Sequence, residues 1–424
     1  MKKIIYFILF IAAIPVVVFC NDDKTKNKKT NADNAGLVLQ PGFSATKIAD
    51  GLGVARHIAI SPKGEIYVKL NYNRRATYKS AVLNLLDLNK DGITDSIYAF
   101  GNFAGTGIAI KNGYLYASSD EEVFRYKLDA NDKVINPNQP EKIITGLISR
   151  HEHEAKAITL DNAGNIYVNI GAYSNACQVE DRKPGSPALK PCPILDSAGG
   201  IWQFKADKLN QTYGDGVRYA TGLRNVVGLD WNTQTNSLFV MQHGRDQLHD
   251  LFPNMYDTKQ SAELPSECMY ELHKGSNCGW PYIYYDHLVG KKIIAPEYGG
   301  DGKKSTDDYQ SPAIAFPAHL APNGLLFYTG NQFPEKYKNG AFIAFHGSWN
   351  RAPEPQEGYY VVFVPFKNGK PTGEREIFAN GFAGKDVSPR GAEHRPCGLA
   401  QDAAGNLYVT DDSKGIIYKI SYSK

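Results

Sequence analysis

Two histidines one residue apart, His151 and His153 in "SRHEHEAKAITLDNAGNIYVNIG", stand directly ahead of a segment that reads as a β-hairpin. An imidazole titrates near neutrality and can take a proton from a substrate hydroxyl, so a histidine at the entry of a strand is a candidate general base. His153 is the one at the strand entry, whereas His151 reads as a supporting or solvated residue. Comparable side chains precede other hairpins: Arg56 and His57, Thr106, Arg224 and Asn225, His319 and Asn323, then His394 and Arg395. The intervening segments add His243, Glu267, Trp280, Trp349 and Arg351. Planar guanidinium groups match carboxylates, and flat aromatic rings match flat ligands, so together these groups suit a flat anion held beside a base. Taken singly, Arg56, Arg224 or Arg395 can equally pair with a nearby carboxylate, and either tryptophan can belong to a core. Three arginines at equivalent positions repel one another unless an anion offsets them.

A repeated phrase must position these groups. "AISPKGEIYVKL", "AIKNGYLYASS", "TLDNAGNIYVNIG", "LDWNTQTNSLFVMQHG", "GLLFYTGNQFPEKYKNGAFIAFHGSW" and "LAQDAAGNLYVTDD" each join a short apolar strand, a polar turn and a second strand with a central aromatic. That is a hairpin signature. The aromatic markers Tyr67, Tyr116, Tyr167, Phe239, Phe342 and Tyr408 recur at unequal intervals, each long enough for four short strands and an insertion. The pattern predicts an all-β, six-bladed β-propeller with four-stranded antiparallel blades and loop insertions on one face. A pair of β-sandwiches is the structural alternative. The composition, with 40 Gly, 23 Pro and 12% aromatic residues, fits such an architecture. The longest insertion is read as about 246 to 317. In a propeller the loops entering the innermost strands open on one face, so the residues named above are expected to converge at the mouth of the tunnel.

At the N-terminus, Met1, Lys2 and Lys3 precede an apolar run from Ile4 to Phe19, the order of a secretion signal and too short for a membrane span. Cys20 closes the run, which predicts cleavage before it and lipidation of Cys20; simple secretion and a retained anchor are the alternatives. Residues 20–36 read as a lipidated cysteine and a polar tether, and 37–424 as the propeller. Export to the periplasm or cell surface is expected, with membrane contact only through the lipid. In an oxidising compartment the short spacings favour Cys177–Cys192 and Cys268–Cys278 disulfides, leaving Cys397 over. The net charge of +3 is too slight to argue for nucleic acid. "LLDLNKDGITD" places Asp87, Asn89, Asp91 and Asp95 at calcium-loop spacing but lacks the closing glutamate, and a hairpin turn explains it as well.

The ordered set "HEHEAKAITLDNAGNIYVNIG", "TGLRNVVGLDW", "MQHGRDQL", "SECMYELHKGSNCGWPY", "HLAPNGLLFY", "HGSWNR" and "EHRPCGLAQDAAGNLYV" resembles the glucose/sorbosone dehydrogenase family, the soluble quinoprotein sugar dehydrogenases, in its sorbosone dehydrogenase-like branch. The resemblance covers nearly everything after the tether. It implies oxidation of an aldose or a sugar aldehyde by pyrroloquinoline quinone (PQQ) with a calcium ion, and electron transfer to an external quinone or cytochrome, since no haem motif is present. His153 takes the place of the family's general base, and Arg224 and Asn225 match the pair on the quinone oxygens and carboxylate. His243 matches a polar cofactor contact. The main-chain carbonyls of Gly244 and Arg245, with Glu267, fall on the calcium positions. Arg351 and Arg395 fall near cofactor-carboxylate contacts; Trp280, His319 and Trp349 are the remaining cofactor candidates. Glucose-oxidising members have an acid where this chain has Ala172, which moves the duty of orienting His153 to Glu154 or Glu152. A non-catalytic propeller that binds a glycan or protein is the alternative function. A calcium-dependent lactonase is disfavoured because the ring is rich in Arg and His rather than carboxylates.

Overall fold

The computed structural model describes residues 34–71 and 78–423; the segment read as a secretion signal and Cys20 lie outside the described residues, as does the stretch read as a tether up to residue 33. Each of the six hairpin phrases forms the first two strands of a sheet, because alternating small apolar and aromatic residues bury both faces of a strand set between neighbouring sheets. Blade 1 is built from Ala55–Ile60, Ile66–Leu70, Val82–Leu86 and Ser96–Phe100, paired in that order and antiparallel. Blades 2 to 5 begin with Ile108–Lys111, Ile158–Leu160, Val226–Asn232 and Pro322–Phe327. Blade 6 begins with Pro396–Gln401, and its outermost strand is Phe43–Ala49 from the start of the chain, antiparallel to Ile417–Tyr422. The innermost strands are neighbours in a closed circle, blade 6 meeting blade 1. The six-bladed propeller expected from the sequence is the observed fold, and all six aromatic markers lie on the second strands of their blades.

Three blades exceed the expected four strands. Gln211–Thr212 and Ser276–Asn277 join blades 2 and 3 in parallel, and Val38–Leu39 joins blade 5 antiparallel. The apolar core is divided among the six seams between blades rather than gathered at the centre. Phe43, Phe342, Phe363 and Phe378 pack between blades 5 and 6, and Tyr67, Phe100 and Phe124 between blades 1 and 2. Each seam removes large side chains from water, so each blade depends on both neighbours for its burial.

Two expectations are corrected. The stretch 246 to 317 is not one insertion: Glu267–Leu272 and Ile314–Phe316 are the outer strands of blade 4. The excursions are the segment carrying the helices Leu248–Leu251 and Thr258–Glu263, and a hairpin of Ile283–Asp286 with Lys291–Ile294. Cys177 and Cys192 form a disulfide, whereas Cys268 and Cys278 are separate buried thiols. Closeness in sequence is misleading there, because Cys268 belongs to blade 4 while Cys278 follows the strand that extends blade 3. The carboxylates of Asp87, Asp91 and Asp95 accept amide hydrogens from their own loop, which makes that segment a hairpin turn.

Candidate functional site

The N-terminal ends of the innermost strands of blades 3, 4 and 5 converge on a cavity of about 380 Å³, to which His153, Arg224, Asn225, His243, Glu267 and His319 all contribute. Of the residues expected to converge at the mouth of the tunnel, Arg56, His57, Thr106, His394 and Arg395 do not line this cavity. Trp349 stands at the rim with 58% of its surface exposed. His151 also borders the cavity, but it is solvated and faces Glu154 at 3.5 Å.

His153 is held by the main chain. Its φ of 51° lies in the left-handed region, which turns the segment just before the blade 3 strand. Its backbone packs against Gly171, where a Cβ would come within 2.5 Å of the His153 carbonyl oxygen; only glycine fits. The ring Nδ1 bonds the carbonyl oxygen of Ala172. A carbonyl can only accept, so Nδ1 carries the hydrogen and Nε2 keeps its lone pair. Nε2 lies 3.7 Å from a Glu152 carboxylate oxygen. Burial, reinforced by the nearby Arg224, holds the His153 pKa well below 6.5, so the ring is neutral and able to act as a base. The orienting duty therefore falls to the backbone of Ala172, the residue whose side chain cannot perform it. Glu154 is engaged elsewhere, with the Ser149 hydroxyl and the His151 amide.

The electrostatic centre is Asp246, which sequence reasoning missed. One of its carboxylate oxygens accepts from Arg224 at 2.8 Å and Arg182 at 3.0 Å, and the other accepts from Asn350 at 2.8 Å and faces His319 at 3.6 Å. Burial alone would raise its pKa, but Arg224, His319 and Arg182 reverse that and hold it well below the usual carboxylate range. Arg182 also bonds Glu152 at 2.9 Å, which ties the Asp246 hub to the neighbour of His153. Arg224 donates a second hydrogen bond to the Gly244 carbonyl at 3.1 Å, yet its buried Nε has no partner among the described residues. An unpaired guanidinium N–H costs free energy unless a ligand oxygen takes it. His243 is pushed down to about 3 by burial and Arg224, and Asn225 accepts the His243 amide hydrogen on its main-chain oxygen at 2.9 Å.

With this geometry in place, the comparison with known proteins is decisive: residues 37–423 match the TrAA12-like family. The chain belongs to the TrAA12-like family. An uncharacterized protein of Borreliella burgdorferi is 32% identical over 275 residues, 64% of this chain and 61% of its own length. A pyrroloquinoline quinone-dependent sugar dehydrogenase of Hypocrea jecorina is 22% identical over 345 residues, 75% of this chain and 74% of that protein. A solved structure of the Trichoderma reesei Carbohydrate-Active Enzymes family AA12 protein has a TM-score of 0.74 at 20% identity, covering 92% of this chain and 98% of that one, and it shows the same fold. The resemblance to soluble quinoprotein sugar dehydrogenases read from the motifs is borne out.

Several expected members of the TrAA12-like site are placed elsewhere. Trp280 is buried in the seam between blades 2 and 3, its indole N–H donating to Asn175 at 3.0 Å. Arg351 is buried and clasps the carbonyl oxygens of Ala262, Ala318 and Pro355 together with Glu263 and Glu357. Arg395 donates to the carbonyls of His346 and Gly347. Repulsion among the three equivalent arginines is relieved by the protein itself: Arg56 pairs with Asp412 at 2.6 Å and Arg224 with Asp246.

The expected calcium donors of this TrAA12-like protein do not fit the ion as they stand. The Gly244 carbonyl is bonded to the Arg224 guanidinium. Glu267 accepts amide hydrogens from Gly244 at 2.9 Å and Ala321 at 3.3 Å, and burial raises its pKa to about 8, which keeps it protonated at neutral pH. Calcium wants six to eight oxygens with anionic members among them. Among the described residues no cluster of three acidic, histidine or cysteine side chains is placed to hold a metal.

Proposed function

We propose that this protein is a PQQ-dependent oxidoreductase that oxidises a sugar, an aldose or a sugar aldehyde such as sorbosone, with His153 as the base. The observation that carries the reading is a neutral imidazole, fixed through Nδ1 by the Ala172 carbonyl, in one cavity with Arg224, whose buried Nε has no partner among the described residues. The names of the relatives support it. Bound there, PQQ supplies the two-electron acceptor of an ortho-quinone. Arg224 would hold an oxygen of that group through Nε, with Asn225, His243, His319 and Trp349 completing the lining. The protonated Glu267 adds no negative charge to repel an anionic ligand.

His153 Nε2 accepts the proton of the substrate hydroxyl. The imidazolium so formed faces Glu152 and lies in the field of Asp246, and both stabilise it. Arg182 holds Glu152 and Asp246 in place. Electrons leave to an external quinone or cytochrome. Export and lipidation at Cys20 complete the proposal, and labelling with a radioactive fatty acid, lost in Cys20→Ala, tests that part.

Adding PQQ to the purified protein and assaying dye reduction with a panel of aldoses and sugar aldehydes tests the activity. Cofactor absorbance and sugar-dependent reduction are the expected result. Absence of cofactor uptake overturns the proposal.

A further inference from the structure

A second cleft of about 170 Å³ opens beside the main cavity, lined by Gln247, Asp250, Thr258, Ser261, Trp349 and Asn350 among others. The two share Trp349 and Asn350, so one indole forms the wall between them. That indole is unlike the other tryptophans of the chain. Trp202 and Trp280 are buried, and Trp231 stacks on Tyr167 at 5.3 Å. Trp349 is largely exposed and, among the described residues, packs on no other ring.

The loop presenting Trp349 is rigid. Ser348 bonds the Gln356 side chain at 2.7 Å and exchanges two 2.9 Å bonds with the Glu357 backbone, while Tyr359 bonds its carbonyl at 2.5 Å. Arg351, with its five partners, anchors the same loop to the helix Thr258–Glu263 and to the segment that leads into blade 5. The opposite wall is equally fixed: Asp257 caps that helix at 2.7 Å, and His249 bonds Tyr256 at 2.7 Å and Ser261 at 3.1 Å. The Asp250 carboxylate, by contrast, makes no hydrogen bond or ion pair with the described residues.

We infer that this cleft is a second sugar subsite, and that the substrate is a disaccharide or the end of a longer glycan whose terminal unit lies at His153 and whose next unit lies in the cleft. The inference rests on the proposed sugar-oxidising role of the main cavity. A pyranose ring has an apolar C–H face and a rim of hydroxyls. A fixed, uncovered indole facing carboxylate, amide and hydroxyl groups complements both. The cleft has less than half the volume of the main cavity, which limits it to one further unit.

The test uses the PQQ-loaded full-length protein with glucose, maltose and cellobiose. kcat/KM for the better disaccharide should exceed that for glucose about tenfold, the gain expected from one or two added hydrogen bonds and ring contact. The double variant Asp250→Ala, Thr258→Val, altered only in the cleft, should lose that gain and keep the glucose rate. Indole emission of the cofactor-free protein provides a readout without turnover: the disaccharide should shift it at lower concentration than glucose, and Trp349→Phe should abolish the shift. Equal affinity for the two sugars, or a gain that survives the double variant, overturns the subsite. Failure to oxidise any sugar overturns the proposed function alone, because the emission titration still decides the subsite.

Discussion

Two arginine–aspartate pairs occupy comparable places around the mouth of the tunnel, Arg56–Asp412 at the seam of blades 1 and 6 and Arg224–Asp246 at blade 4. Both aspartates are pulled well below the usual carboxylate range by their cationic neighbours, against the opposing effect of burial. The first pair is closed. His346 takes the other Asp412 oxygen at 2.6 Å, and Arg56 Nε finds the Thr106 hydroxyl at 3.4 Å. The second pair is open, with Arg224 Nε buried and unpartnered and the residue itself lining a cavity beside a neutral histidine. The same ion pair serves as a fastener on one side and is the proposed binding surface on the other. The difference is a single unmatched N–H.

The contrast can be broken in several ways. The largest effect expected is from His153→Ala, which should lower kcat about 100 to 10,000-fold while PQQ titration shows uptake unchanged. Asp246→Ala and Asp412→Ala should each destabilise the fold by about 3 to 5 kcal/mol in urea melts, because each strands a buried cation. Only the former should also weaken PQQ. Arg224→Met should weaken PQQ uptake about 10 to 100-fold in an absorbance titration, the worth of one or two charge-assisted bonds. Arg56→Met should leave uptake within about twofold; equal losses in the two would erase the distinction drawn here.

Acidification offers a gentler probe. Burial, aided by the neighbouring arginines, pushes His57 to about 4 and His243 to about 3. The unfolded chain binds protons at pH 6.5 that the folded one does not. Their stability contribution is therefore complete above that pH and is lost as pH falls through the folded values. The unfolding free energy read from urea melts should drop between pH 6.5 and 4, with a slope of up to about 1.4 kcal/mol per pH unit for each ring. Glu267 has the opposite sign: raised to about 8, it contributes fully at low pH and loses that contribution as pH rises through 8. Glu267→Gln should flatten the alkaline limb of the stability profile. The smallest effect expected is that of calcium on the cofactor-free protein, a Tm change within about 1 °C, because the Gly244 carbonyl and Glu267 are already engaged.

The blades were legible because a two-strand phrase with a central aromatic repeats whatever its insertions do, and Tyr67, Tyr116 and Tyr167 mark it plainly. His153, Arg224, Asn225, His243 and His319 were legible because strand entries are fixed points in such a repeat. Asp246 was not: it sits in "HGRDQL" between louder residues, and nothing local announces that two arginines from different loops will meet on it. Arg182 comes from the loop closed by Cys177–Cys192, whose path is set by the disulfide rather than by any pattern. Trp280 and Arg351 were misplaced because residue type alone does not say whether a large side chain faces a cavity or fastens a loop. An arginine near the end of a binding loop is as suited to clasping carbonyls as to gripping a ligand.

The strand Phe43–Ala49 seals the circle against Ile417–Tyr422, and Arg56 meets Asp412 across 356 positions of sequence. The circle is therefore whole only once segments far apart in the sequence have met. Removing Ile417–Tyr422 would take away a latch, because the edge on which Phe43–Ala49 pairs would be gone.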